Sequence, residues 1–323
     1  MIVVTGGAGF IGSHIARHLA ELGLRVVISD RFGSGDKWRN VASARLYDIV
    51  RPDMLPEWLE RHSGKIAAIV HMAAISSTTE PDIDRFVANN IRLTIDLWDW
   101  CAANATRFIY ASTAATYGDG GAGFSDDQSP AALAALRPLN AYGWSKHVVD
   151  RRVAEDVVGG RPSPPQWAGL KFFNVYGPNE AHKGDMQSLV GKFCPIIEAG
   201  GVVTLFKSHN PGYRDGGQLR DFVYVKDCVA VVGWMLQNPK VTGLFNVGTG
   251  AARSFLDLVN AVAAAVGRPP NVRFVDTPAE LRDKYQYFTQ ADISKLRAAG
   301  FDRAFHTLEE GVRDFVHCMR GGA

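Results

Sequence analysis

Two stretches of this chain carry residues that could do chemistry together. Tyr142 and Lys146 stand four apart in NAYGWSK, at the start of a helical stretch, so both project from one helix face. Thr113 stands some thirty residues earlier in YASTAATYG, where an apolar run ends. A phenol titrates near about 10 and is a poor base at neutral pH. A lysine one turn away, and a positively charged nicotinamide ring, favour the phenolate. The Thr113 hydroxyl can hold a substrate alcohol beside it. Together these groups are acid/base machinery for hydride transfer at a carbinol. Y-x-x-x-K alone is usually a surface pair, and its meaning here comes from the elements that precede it.

Those elements start at the first residue. MIVVTGGAGFIG is an apolar β-branched run followed by Gly6, Gly9 and Gly12, and then by a helical pattern over residues 13–22. Glycines where a strand turns into a helix permit a tight turn, a close approach to a pyrophosphate and close helix packing. The helix N-terminus then offers free N–H groups to the phosphates. The alternative, a tight turn with no ligand, is disfavoured by Asp30, which ends the second apolar run, at 24–29. An acid at that spacing accepts hydrogen bonds from the adenine ribose. Arg31, Lys37 and Arg39 follow in the loop where a 2′-phosphate would sit, so the expected cofactor is NADP, with NAD the alternative.

A third strand is expected at 45–48, with Asp48 at its end near the adenine. A fourth is expected at 66–72, followed by Ala73 and Ala74, small enough to let backbone pass beside a cofactor. The polar cluster 76–79 lies just beyond, at the sheet edge where ligands bind or as the cap of the next helix. A long helix over 82–103 carries Asn89 and Asn90, and the fifth strand, 107–111, leads into the Thr113 motif. Alternation of this kind implies an α/β fold: a doubly wound parallel sheet with right-handed crossovers.

With 323 residues the chain makes one large α/β unit or two joined domains. A formal net charge of +2 gives no general attraction to nucleic acid or membrane. Cys101, Cys194, Cys228 and Cys318 lack metal spacing and read as reduced thiols, so no metal site is expected and a cytoplasmic setting is. No run is long enough to span a bilayer, and the apolar start reads as a strand rather than a signal peptide.

The motifs TGGAGFIG, HMAAISSTTE, YASTAATYG, NAYGWSK, FFNVYGPNEAHKGDM, RDFVYVKD, FNVGTG and YQYFTQADISKLRAAGF resemble the extended short-chain dehydrogenase/reductase family almost end to end. Within it, HKG at 182–184 and YQYFTQAD at 285–292 resemble the nucleotide-sugar epimerases that invert C-6 of ADP-glyceromanno-heptose. The resemblance implies a Rossmann domain over 1–173, with return segments at about 221–247 and 292–310. It implies a smaller α/β substrate domain from 174–220, about 248–291 and 311–323. The implied cofactor contacts are Gly6, Gly9, Phe10, Ile11, Gly12, Asp30, Arg31, Lys37, Asp48, Met72, Ala73, Ala74, Ile75, Ser76, Asn89, Lys146, Val175 and Lys183. The implied substrate contacts are Ser76, Thr113, Tyr142, Asn174, Asp185, Lys192, Phe206, Lys207, Ser208, His209, Arg220 and Tyr285. Arg220 suits a diphosphate because guanidinium matches its oxygens bidentately. Its other reading is an ion pair with Asp221.

The implied reaction is a redox-neutral epimerisation in which the hydride that leaves C-6 returns to its other face. The alternatives are another nucleotide-sugar epimerase or a non-catalytic regulator, and the intact Tyr142 and Lys146 speak against the second. Dehydration needs an acid and a base straight after Thr113, where Ala114 and Ala115 can transfer no proton. Inversion at an exocyclic carbon turns the oxygen away from Tyr142, and the resemblance gives Lys183 as the second proton donor. Asp185 stands where the family often has a small hydroxyl residue. A homo-oligomer is expected. The glycine-rich stretch 209–218 is expected to be mobile.

Overall fold

The computed structural model describes residues 1–278, 282 and 286–321. Its strands, in chain order, are β1 (Ile2–Thr5), β2 (Val26–Ser29), β3 (Asp48–Val50), β4 (Ala68–His71), β5 (Arg107–Thr113), β6 (Trp167–Phe172), β7 (Asn174–Tyr176), β8 (Val203–Phe206), β9 (Leu219–Arg220), β10 (Phe222–Tyr224), β11 (Gly243–Val247), β12 (Arg253–Ser254) and β13 (Val272–Val275). Seven form one sheet in the order β11-β6-β5-β4-β1-β2-β3. Every pairing in it is parallel, with Val4 opposite Ile28 on one side and Val70 on the other. Strands β1, β2 and β4 are buried along their whole length, which is why they read as continuous apolar runs rather than alternating ones. Helices on both faces complete the expected doubly wound architecture.

Two expected elements differ. The third strand begins at Asp48 rather than ending there. Val50 is its buried residue, and Asp48 and Ile49 are exposed on the sheet edge. The expected helix over 82–103 is helical from Ile83, with Asp82 its N-cap, but not uniform: Ile83–Phe86 and Leu93–Ala103 are α, and Val87–Arg92 between them is a π-helix. The Thr94 hydroxyl donates to the Asn90 carbonyl at 2.6 Å, a side-chain bond that competes with the regular ladder. The wide turn brings the Asn90 side chain onto both backbone groups of Ile75, at 2.8 and 2.9 Å, beside the end of β4.

A second apolar cluster lies over the carboxyl ends of the sheet. Tyr176, Phe193, Ile197, Leu205, Val259, Val262 and Phe315 are among its buried members, drawn from the helices Leu189–Glu198, Phe255–Val266 and Leu308–Met319 and from the short strands. There β7 pairs with β10 and β8 with β13, both parallel, while β9 pairs antiparallel with β12. Asp221 knits this region to the sheet. Its buried carboxylate accepts from Thr249 N and Oγ1 at 2.7 Å, from Gly250 N at 2.9 Å and from Ala291 N at 3.0 Å. Among the described residues no helix is long and apolar enough to cross a membrane. The four cysteines are free.

Candidate active site

A cleft of about 1070 Å³ opens between the two apolar clusters, at the carboxyl ends of β1, β4 and β5. Its floor is the glycine turn. Gly6 has φ +66°, and a Cβ there would sit 2.6 Å from the Ala73 nitrogen. A Cβ on Gly12 would sit 2.1 Å from the Gly6 carbonyl oxygen. The helix Phe10–Glu21 starts from Gly9 with no side-chain cap and no acid in its first turn, so its N–H groups face the cleft uncompensated. The turn is therefore shaped and charged for an anion.

Asp30 holds one end of the cleft. One carboxylate oxygen accepts from Ala8 N at 2.8 Å, the other from Arg31 N at 2.7 Å and Lys37 Nζ at 2.6 Å. Arg31 and Lys37 line the same end. Arg39 does not: it pairs with Asp36 at 3.1 Å and stacks on Trp38 at 4.9 Å. Asp48 also lies outside the lining, because its carboxylate accepts from Trp58 Nε1 at 3.0 Å on the edge strand. Pro52, Asp53 and Leu55, just after it in the chain, line the cleft instead. Met72, Ala73, Ala74, Ile75, Ser76 and Asn89 line the wall after β4, and Phe10, Ile11, Asn174 and Val175 line the cleft as well.

Thr113, Tyr142 and Lys146 meet at the centre. Asn140 caps the helix Ala141–Val158 by accepting from Gly143 N at 2.8 Å, which fixes Tyr142 in the first turn. Burial pushes the Tyr142 phenol up, and its hydrogen bond with Thr113 holds it down. Lys146 is buried, and its Nζ has no hydrogen-bond partner among the described residues. Burial pulls its ammonium down to about 8, opposed by Asp150 one turn on. An orphaned, buried ammonium lining a cleft is ready for a partner that the protein does not supply, and a ribose diol is one.

Across the cleft, Lys183 places its ammonium over the Phe10 ring at 5.2 Å. Burial lowers its pKa, and the Glu180 carboxylate opposes that. Gly184, with φ +53° and ψ −124°, allows the sharp bend that turns Lys183 inward. Glu180 is itself buried and accepts from Ser188 N at 2.8 Å and from the Ser188 hydroxyl, which closes this loop. The other described substrate candidates lie outside the lining. Asp185 is exposed and its carbonyl accepts from Lys192 Nζ at 2.6 Å. Lys207 pairs with Asp276 at 3.2 Å, and His209 N donates to the Tyr287 hydroxyl at 2.9 Å. Phe206 ends β8, and Ser208 N donates to Asp215 at 2.8 Å. That bond joins Ser208 to the glycine-rich stretch 209–218. Arg220 donates to the Leu219 carbonyl at 2.8 Å and to that of Gln286, and stacks on Phe255, a cleft residue, at 5.5 Å. Tyr285 lies outside the described residues.

Sequence reasoning missed the supports. The hydroxyl of Thr94 donates to Asn90, so it accepts from His71 Nε2 at 3.0 Å, and His71 Nδ1 accepts from the Thr5 hydroxyl at 2.6 Å. Asn90 goes on to the Ser145 hydroxyl at 3.0 Å, which donates to the Tyr142 carbonyl at 2.7 Å. Asn40 ties the glycine turn to the Lys183 loop through Ala8 and Asn179 carbonyls at 3.0 and 3.2 Å. The available signals were a histidine inside the apolar run IAAIVHM and a lysine inside AGLKFF.

A turn shaped for a phosphate and a Tyr–Lys pair lining the same cleft have the form of a dinucleotide-dependent enzyme site. The model of the NAD dependent epimerase/dehydratase family matches residues 2–248, and this chain belongs to that family. An ADP-L-glycero-D-manno-heptose-6-epimerase of Fusobacterium nucleatum is 46% identical, over 98% of this chain and 97% of its own length. One of Nitratidesulfovibrio vulgaris is 48% identical over the same shares. Among solved structures, the Helicobacter pylori ADP-L-glycero-D-manno-heptose-6-epimerase superposes with a TM-score of 0.81 at 27% identity, over 99% of this chain and 96% of its own. The Thermus thermophilus UDP-glucose 4-epimerase complex with NAD gives 0.78 at 28% identity, over 100% and 99%.

Proposed function

We propose that this protein is an isomerase that inverts C-6 of the heptose of ADP-glyceromanno-heptose. The observation that carries the reading is the near-half identity to heptose 6-epimerases along almost their whole length. Tyr142, Lys146 and Thr113 supply the machinery such a reaction needs. A nicotinamide cofactor, when bound, accepts a hydride from the C-6 carbinol and gives it back. The glycine turn and the free helix N-terminus would hold its pyrophosphate, and Lys146 its nicotinamide ribose.

Thr113 holds the sugar hydroxyl beside the Tyr142 phenol. Tyr142 takes the hydroxyl proton as the carbinol is oxidised, with the Lys146 charge stabilising the phenolate. Rotation about the exocyclic bond then presents the other face of the carbonyl and carries its oxygen away from Tyr142. Lys183 supplies the proton there when the carbonyl is reduced. Burial lowers its pKa, which eases release of that proton. We assign Asn174 and Ser76 to the sugar, and Arg220, Lys192 and residues 206–209, with Asp185 and Tyr285, to the remainder of the ADP-sugar. The sheet and its return segments serve the cofactor, and the second cluster serves the substrate.

We infer NADP as the cofactor. Both Asp30 oxygens already accept protein donors, one of them the Lys37 ammonium, which leaves the carboxylate poorly placed to take a ribose diol. Arg31 and Lys37 then meet a 2′-phosphate. Extraction of the purified protein is expected to release NADP, and NAD alone would overturn this assignment. The function itself is tested by incubating the protein with either C-6 epimer of the ADP-heptose and following the sugar by NMR. Formation of the other epimer is expected, and an unchanged spectrum would overturn the reading.

A further inference from the structure

Lys146 and Asp150 lie one helical turn apart on the face turned to the sheet, the spacing at which a lysine and an aspartate normally pair. Here they do not. Asp150 Oδ2 accepts from Lys171 Nζ at 2.6 Å and from the Ser112 hydroxyl at 2.7 Å, and Oδ1 accepts from the Tyr110 hydroxyl at 3.0 Å. Lys171 comes from β6, and its side chain and that of Asp150 are fully buried. It also donates to Thr116 Oγ1 at 2.8 Å and lies over the Tyr117 ring at 5.0 Å. Its donors are thus committed to the layer behind the cleft.

We propose that Lys171 is a positioning residue for the Tyr142–Lys146 pair: by taking up the Asp150 carboxylate it leaves the Lys146 ammonium unpaired at the cleft. This rests on the acid/base reading of that pair. The titratable groups around Lys146 are few. Tyr142, His147 and Asp150 share its helix, His71 faces it from β4, Tyr110 comes from β5 and Lys171 from β6. His71 is neutral at ordinary pH because both ring nitrogens are engaged by hydroxyls and burial holds its pKa at about 3. The Asp150–Lys171 balance therefore sets the local charge. Without the Lys171 cation, Asp150 turns its full charge on the pair, and both Tyr142 and Lys146 hold their protons to higher pH. Without the Asp150 anion, both release them at lower pH.

The test compares Lys171→Met, Asp150→Asn and Lys171→Arg in the purified protein by two readouts. One is the ultraviolet tyrosinate titration, taken as a difference against Tyr142→Phe. The other is the pH profile of epimerisation. Both midpoints are expected to rise by about half a pH unit in Lys171→Met, to fall by about one in Asp150→Asn, because Asp150 is the charge that acts on Lys146 directly, and to stay put in Lys171→Arg. A purely structural role predicts weaker activity with no opposed shifts, and shifts of one sign, or none, overturn the proposal. Should a lone buried charge prevent folding, the double variant Asp150→Asn/Lys171→Met leaves none. It is expected to titrate below wild type, and a wild-type midpoint overturns the proposal. Full activity in Tyr142→Phe would overturn the acid/base reading and this inference with it. An inactive Tyr142→Phe with unshifted charge variants would overturn this inference alone.

Discussion

His71 gives the sharpest prediction about stability. Its ring sits fully buried between the Thr5 and Thr94 hydroxyls, with the Thr94 proton already given to the Asn90 carbonyl. A second ring proton would displace the Thr5 hydroxyl and put a charge in the core near Lys146. Burial and that neighbouring charge lower its pKa to about 3, against an unfolded value near about 6.5. The unfolded chain thus binds the extra proton more readily, so the contribution is complete above the unfolded pKa and is lost as pH falls towards the folded one. For these two values the loss between about pH 7 and about pH 5 is about 2 kcal/mol. The assay is urea unfolding of wild type and His71→Asn across that range. At about pH 7 the variant is less stable by about 1–3 kcal/mol, because a buried hydroxyl loses its partner, and the gap narrows as pH falls. The slope is the readout: the variant's pH dependence should be flatter by about 2 kcal/mol. The residual slope has other sources, among them His147, which burial lowers to about 4. Parallel curves for the two proteins would refute the reasoning.

Tyr142→Phe should lower turnover by about 10²–10⁴-fold while the cofactor stays bound, measured by NMR turnover and cofactor extraction. Gly12→Ala must move the turn, since its Cβ would sit 2.1 Å from the Gly6 oxygen, and the variant should purify without cofactor. Lys183→Ala should lose epimerisation of the natural heptose yet keep part of the dismutation of a C-6 aldehyde analogue, in which each half-reaction uses one orientation. Wild-type epimerisation in that variant would place the second proton donor elsewhere. Arg220→Ala should raise KM for the ADP-sugar more than it lowers kcat, and an unchanged KM would remove Arg220 from the substrate site.

The sheet, the glycine turn and the Tyr142–Lys146 pair were legible in the sequence because each is written locally. Fully buried strands leave unbroken apolar runs, a strand-to-helix turn leaves glycines at fixed spacing, and two residues four apart on a helix share a face. The edges were less legible. Asp48 lies in an edge strand whose burial is one-sided, and its partner, Trp58, comes from the following helix. Arg39 sits in the right loop but turns to Asp36. The residues packed behind the candidate site were legible only as anomalies: a histidine in one apolar strand, a lysine in another. Tertiary structure alone decided their partners. Strand order sets β6 beside β5 and so brings Lys171 and Ser112 to one carboxylate, while the π-turn brings Asn90 to Ile75 and Ser145. Such bonds join positions far apart in the chain, and no local period records them.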